Sequence, residues 1–233
     1  MYKNLEDLRK QYQNIVTNVQ PHLNDEIKAI LNRGIAFQYD EDESEADVLF
    51  LGMNPSFIST QKEESYEWTR ERTIGKEYFK PFFNVEESLR NEYNIEIKWT
   101  HYDLFVFRET NQSNIKKIFK SNEEGRNFLF QQLEVLKERL VKTQPKIIVA
   151  SNALIRTFLG MNAKTDSKGI KTGVWLGDWI KFEFDKTKGT YIIQQPNELK
   201  GIAIFFTSML SGQRALDIGT RERLVWHIAA VLK

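Results

Sequence analysis

The chain has 233 residues, 41% of them hydrophobic and 28% charged, with a formal net charge of +1 and no cysteine. That is an ordinary globular composition without a global basic field, so a nucleic-acid partner has to be held by a local patch. The lack of cysteine excludes disulfides, thiolate metal sites, iron–sulfur clusters and a cysteine nucleophile.

The amino terminus (MYKNLEDLRK) is charged and amphipathic, unlike a signal peptide, and no apolar run approaches the about 18 residues of a membrane span. A cytoplasmic location, no membrane partner and a monomer are the expectations. Leu5, Leu8, Tyr12, Ile15 and Val16 recur at helical steps. A second helix is predicted from Asn24 to Asn32, with Asn24 as N-cap and Gly34 just past its end. Residues 1–40 thus form an amino-terminal helical extension of a single domain covering 1–233. The acidic run Tyr39–Glu45 (YDEDESE) reads as a solvated turn.

Ala46–Leu51 (ADVLFL) is a buried strand, closed abruptly by Gly52-Met53-Asn54-Pro55-Ser56. Pro55 stops the strand and holds Asn54 extended. This displays a polar amide at the carboxyl end of a core strand, where open α/β sheets keep their ligands. The polar segment from Phe57 to Lys80 has the length of a binding loop or lid. A helix follows over about Val85–Tyr93, and then Ile95–Phe107 is a strand ending near Arg108. Phe119–Val141 reads as one amphipathic helix opened by a Ser121/Glu124 capping box. Lys146–Ala150 (KIIVA) is a third core strand, with a short helix from Ser151-Asn152 to Leu159. Val174–Phe184 and Thr190–Gln194 suggest a hairpin. Ile202–Thr207 is a fourth core strand, and Arg221–Leu232 a closing helix. This alternation predicts a three-layer α/β/α fold around a four-stranded parallel sheet.

Four segments carry a resemblance. Leu49–Ser56 (LFLGMNPS) resembles the first motif of the uracil-DNA glycosylase superfamily, a strand closing in Gly-x-Asn/Asp-Pro. His101–Arg108 (HYDLFVFR) stands where that family has its second strand, ending in a base-reading Asn. Pro145–Ala153 (PKIIVASNA) resembles the third strand and its following helix. Ile204–Arg214 (IFFTSMLSGQR) stands where the family carries a strand, His-Pro-Ser and a wedge loop. The order matches over residues 46–214, as a divergent member. Two departures stand out. Met209-Leu210-Ser211 replaces His-Pro-Ser, and Asp103 replaces Asn. An ionised Asp103 only accepts hydrogen bonds and suits cytosine or adenine. A protonated Asp103 mimics Asn in part, provided burial raises its pKa.

The resemblance implies a DNA base-excision glycosylase that flips a damaged or deaminated base into a rim pocket and hydrolyses its N-glycosidic bond. It needs no metal or cofactor, and its partner is DNA with a damaged base or a single strand. Asn54 would hold the attacking water and Asp103 would read the base. His101 shares the Asp103 face, and main-chain groups at Gly52 and Met53 would help bind the base. Trp68 or Phe82 would stack on it, with Tyr78 and Phe57 as further aromatics. Ser208, Ser211, Gln213 and Arg214 would contact the DNA backbone, with Leu210 or Gln213 as wedge.

Plainer readings stand beside these. Asn54 caps a loop. Asp103 pairs with Arg108 or Arg214. Residues 207–214 are an ordinary turn, and the cations Arg70, Arg72, Lys76, Lys80, Lys116, Lys117 and Lys120 are solvated among acids. The competing function is a catalytically weak or inactive member that binds a nucleotide, modified base or single-stranded DNA.

Overall fold

A computed structural model describes residues 2–160, 164–165, 171–172, 179–212 and 215–233. Helix α1 (Leu5–Val19) starts at Asn4, whose side chain accepts from the Asp7 amide at 3.0 Å. Helix α2 (Asp25–Leu31) starts in the same way at Asn24, and Gly34 follows it at a φ of +83°. Both helices bury their apolar faces in the cluster that covers one side of the sheet. The amino-terminal segment is therefore part of the core.

Strand β1 (Ala36–Gln38) pairs in parallel with β3 (Tyr66–Trp68), away from the main sheet. The main sheet contains β2 (Val48–Gly52), β4 (Trp99–Asp103) and β5 (Ile147–Ser151). Past the two-residue strands β6 (Lys164–Thr165) and β7 (Lys171–Thr172) come β8 (Lys181–Asp185), β9 (Thr190–Gln195) and β10 (Ala203–Thr207). The sheet order is β4-β2-β5-β10-β9-β8. The first four strands are mutually parallel, and the β8–β9 hairpin is attached antiparallel to β10. The expected four-stranded parallel sheet is thus a six-stranded mixed one. Ile192 and Ile193 are buried, so the hairpin continues the core instead of standing free of it.

Every residue of β2 is buried, and alternate side chains serve opposite layers. Val48 and Phe50 face helices α3 (Lys80–Tyr93) and α7 (Ile218–Leu232). Leu49 and Leu51 face the cluster built from α1, α4 (Gln112–Ser121), α5 (Glu123–Thr143) and α6 (Ala153–Phe158). The architecture is mixed α/β, with helices on both faces of a mostly parallel sheet.

Three local expectations are corrected. The strand expected over Ile95–Phe107 is β4 alone, which ends at Asp103, because Leu104–Phe107 leave the sheet. The helix expected over Phe119–Val141 is two helices, α4 and α5, broken at Asn122. Asn122 is extended, and its Oδ1 accepts from the Gly125 amide at 2.8 Å. Ser121 instead ends α4 and donates to the Ile118 carbonyl at 2.8 Å, so it does not cap α5. The acidic run 39–45 is not wholly solvated either. Glu43 is buried and pairs with buried Arg139, and it accepts from the Tyr2 hydroxyl at 2.7 Å. Arg139 also donates to the Gln38 carbonyl at 2.7 Å and lies 3.6 Å from the Tyr102 ring centroid. These partners make up for the desolvation of a buried ion pair.

Candidate functional site

Strands β2 and β4 end side by side, with Gly52 opposite Asp103. Their pairing continues past the sheet. Leu104 N–H donates to the Gly52 carbonyl and Phe105 N–H to the Met53 carbonyl, both at 3.0 Å, and Glu109 N–H reaches the Pro55 carbonyl at 2.9 Å. The apolar run Leu104–Phe107 is buried by this zipper. The Gly52 and Met53 carbonyls each accept one strand-end hydrogen bond, and the Met53 side chain is core.

Asp103 leans across the end of β2. A Cβ on residue 52 would lie 2.2 Å from its Oδ1 and 3.0 Å from His101 Nε2. Only glycine leaves room for that approach. His101 Nε2 and Asp103 Oδ1 are 3.9 Å apart, too far for a hydrogen bond. Both side chains are almost wholly buried, at 2% and 4% exposure. Neither His101 ring nitrogen has a hydrogen-bond partner, nor has Asp103 Oδ1. Burial pushes the Asp103 carboxyl up to about 8, against the opposing field of Arg139. Burial, aided by Arg139, pushes His101 down to about 3. Near neutral pH both groups are uncharged. The aromatic rings of Tyr78, Phe79 and Phe82 stand edge-on to the His101 ring, at 6.3, 5.7 and 5.5 Å between centroids.

These two groups line a cavity of about 400 Å³. Tyr66, Trp68, Tyr78 and Phe79 are its aromatic walls, and Arg72 and Lys76 are the cations on its lining. Trp68 is brought there by the β1–β3 pairing, and its indole Nε1 is buried without a partner. The long segment after Asn54 thus supplies most of the wall. Buried polar atoms left unpaired beside an open cavity are the mark of a ligand site.

A second cavity, of about 40 Å³, lies among Gly52, Asn54, Tyr78, Ser151, Asn152 and Ser211. Tyr78 lines both cavities, and Ser211 lines the second beside it. Asn54 spends its amide on structure. Its Nδ2 donates to the carbonyls of Pro55, Phe107 and Glu109, at 3.0, 3.4 and 2.6 Å. This is the loop-capping role. Among the described residues nothing donates to its Oδ1.

The other expected residues fall as follows. Phe82 is 1% exposed, stacked on Trp99 and edge-on to Phe50, so its faces are not free to stack on a base. Trp68 is the better-placed aromatic of the two. Asp103 does not pair with Arg108, whose guanidinium donates to the carbonyls of Arg33, Lys62 and Glu64 and to Gln61. Leu210 is buried in the α3–α7 core, which rules it out as a free wedge. Ser208 is exposed and lines neither cavity. Gln213 and Arg214 lie outside the described residues. Arg70 is held by both carboxylate oxygens of Glu86, and Lys117 pairs with Glu26.

Sequence reasoning missed Tyr66 and Phe79. A period-two aromatic pair, Tyr66 and Trp68, was the available signal for the first. Among the described residues no group of three or more His, Asp or Glu side chains is placed to hold a metal ion, and no helix is long and apolar enough to cross a membrane. In comparisons with protein-family models and with curated proteins, nothing matches this chain.

Proposed function

We propose that the chain recognises a nucleobase, as a divergent protein of uracil-DNA glycosylase-like organisation. The base lies against Trp68 and the aromatic wall, with its edge on Asp103. One observation carries this reading: a buried carboxyl with an unpartnered Oδ1 on the floor of an aromatic cavity, which burial favours in its neutral form. A neutral carboxyl offers one O–H donor beside one carbonyl acceptor. That pair complements a lactam edge, as in uracil or hypoxanthine, which presents C=O next to N–H. The same pair, with donor and acceptor exchanged, also meets the edge of cytosine or adenine, where an amino N–H lies next to a ring-nitrogen acceptor. The four parallel strands in the order β4-β2-β5-β10, with the Gly-Met-Asn-Pro turn at the end of β2, support the family likeness.

The test is a binding panel read by tryptophan fluorescence. Uridine, inosine, cytidine and adenosine are compared, and Asp103→Ala should weaken binding of whichever binds best. Nucleoside binding unchanged in Asp103→Ala, or no binding of any nucleoside by well-folded protein, would overturn the reading.

A second reading adds chemistry: hydrolysis of the N-glycosidic bond of a damaged or deaminated base in DNA. The 40 Å³ cavity favours it, because it has room for a water beside the free Oδ1 of Asn54. An amide orients water without removing its proton, so bond breaking would have to run ahead of attack. Base release from oligonucleotides carrying uracil, hypoxanthine or xanthine decides between enzyme and binder. Loss of release in Asp103→Ala would make it an enzyme.

A further inference from the structure

We infer that the cavity takes a phosphorylated nucleoside, whose phosphate is held by Arg72 and Lys76; this rests on the nucleobase reading above. The inference begins with the cations. Arg72 and Lys76 both line the cavity whose floor is His101 and Asp103. Both side chains are exposed, and neither forms an ion pair or hydrogen bond through its side chain among the described residues. Their acidic neighbours Glu71 and Glu77 do not line this cavity. Two of the cations that the sequence groups with them are already committed: Arg70 to Glu86 and Lys117 to Glu26. Arg72 and Lys76 are thus two positive charges left open on an otherwise neutral, aromatic lining.

The short helical turn Glu71–Thr73 sets Arg72, and the Lys76 amide bonds back to the Thr73 carbonyl at 3.0 Å. Both cations therefore come from one compact turn. Its buried Thr73 also lines the cavity. The floor is neutral and unpartnered, which suits the edge of a base, and not a phosphate. The volume, about 400 Å³, exceeds what a base alone fills and falls within the range of small-molecule sites, about 300–1,000 Å³. A ligand with its base on Asp103, its sugar in the middle and its phosphate at the cations uses the cavity from floor to lining. Guanidinium and ammonium groups are the two side-chain types that bind phosphate by charge-assisted hydrogen bonds.

The experiment measures one ratio in each protein: the affinity for a nucleoside monophosphate over that for its parent nucleoside. The parent is the nucleoside that binds best. In the wild type the monophosphate should bind about 10-fold tighter or more, and the gain should shrink as salt rises. In Arg72→Gln/Lys76→Gln the ratio should fall close to unity. Both positions are exposed, so thermal unfolding should stay near that of the wild type. A short single-stranded oligonucleotide forms a second arm. A gain with the free monophosphate identifies a free or terminal nucleotide as the source, and a gain only with the oligonucleotide identifies a strand phosphate. A nucleoside that binds with no gain from phosphate in either arm overturns this inference and leaves nucleobase recognition standing. Failure of nucleoside, nucleotide and oligonucleotide alike overturns both.

Discussion

Gly52 and Asp103 are register partners at the ends of neighbouring parallel strands, and the missing side chain of the first is the space that the carboxyl of the second occupies. Adding one methyl at residue 52 puts it 2.2 Å from Asp103 Oδ1. Gly52→Ala should therefore displace Asp103 and His101 together. Overpacking of this kind costs about 1–3 kcal/mol. Nucleoside affinity should drop more steeply than stability, since the floor of the cavity moves. Denaturant unfolding alongside a binding titration checks both, and wild-type affinity in the alanine variant would refute the assignment of the floor.

Asp103 should give the protein a pH signature. Its folded pKa, about 8, lies above the ordinary carboxylate value of 3.8. The folded state then holds a proton that the unfolded state has lost. The associated stability is full below about pH 4 and declines as pH rises to about 8. His101 works in the opposite sense. Its folded pKa, about 3, lies below its ordinary 6.5, so its contribution is full above 6.5 and is lost as pH falls toward 3. The two slopes oppose each other between about 4 and 6.5, leaving Asp103 alone between about 6.5 and 8. Stability should fall across that upper window in the wild type and stay level in Asp103→Asn. Thermal melts at matched ionic strength settle this, and parallel curves would count against a protonated Asp103.

Lactam recognition should follow the same titration. Wild-type binding of uridine or inosine should weaken as pH passes about 8. Asp103→Asn keeps a donor and an acceptor at every pH. It should retain most of the affinity and lose the pH dependence. An asparagine variant that fails to bind at neutral pH would show that the carboxyl does something an amide cannot.

Trp68 and Phe82 should separate cleanly. Base–aromatic stacking is worth about 1–3 kcal/mol per base, so Trp68→Ala should weaken nucleoside binding by that amount with a modest loss of stability. Phe82 is packed between Trp99 and Phe50, and Phe82→Ala should cost about 3–5 kcal/mol of folding free energy instead. Isothermal titration and urea unfolding of both variants make the comparison. A reversed pattern would move the stacking role to Phe82.

Asn54→Ala should destabilise the fold even if no chemistry depends on Asn54. It removes the amide from three backbone carbonyls, at a cost of about 1–3 kcal/mol. An alanine variant as stable as the wild type would show that these hydrogen bonds contribute nothing. Any activity lost in Asn54→Ala has to be weighed against this structural cost.

The elements governed by local chemistry were legible in the sequence. Asn24 and Gly34 bracket α2 as their types require, and the apolar runs at 48–52, 147–151 and 203–207 are the central strands. The turn Gly52–Ser56 marked the correct strand end. What depended on distant partners was not legible. Glu43 sits in a run that is acidic and locally polar, and only Arg139, far along the chain, makes its burial possible. Strands β1 and β3 have three residues each, too few for a periodic pattern, so their pairing and the wall it builds stayed hidden. Ser121 and Asn122 both offer a capping oxygen, and the sequence does not rank them. Arg72 and Lys76 read as solvated because acids flank them, yet those acids do not line the cavity.

Arg139 lines neither of the two cavities described above, yet its charge bears on both His101 and Asp103 from behind the sheet. It favours the neutral imidazole and works against the neutral carboxyl. Its strength is set in turn by Glu43, and Glu43 is tied to Tyr2 near the start of the chain. A substitution at residue 139 would alter the balance of charge felt by the floor from a position outside the cavity lining. The electrostatics of the cavity floor are thus set in part by a residue that a survey confined to the cavity lining would overlook.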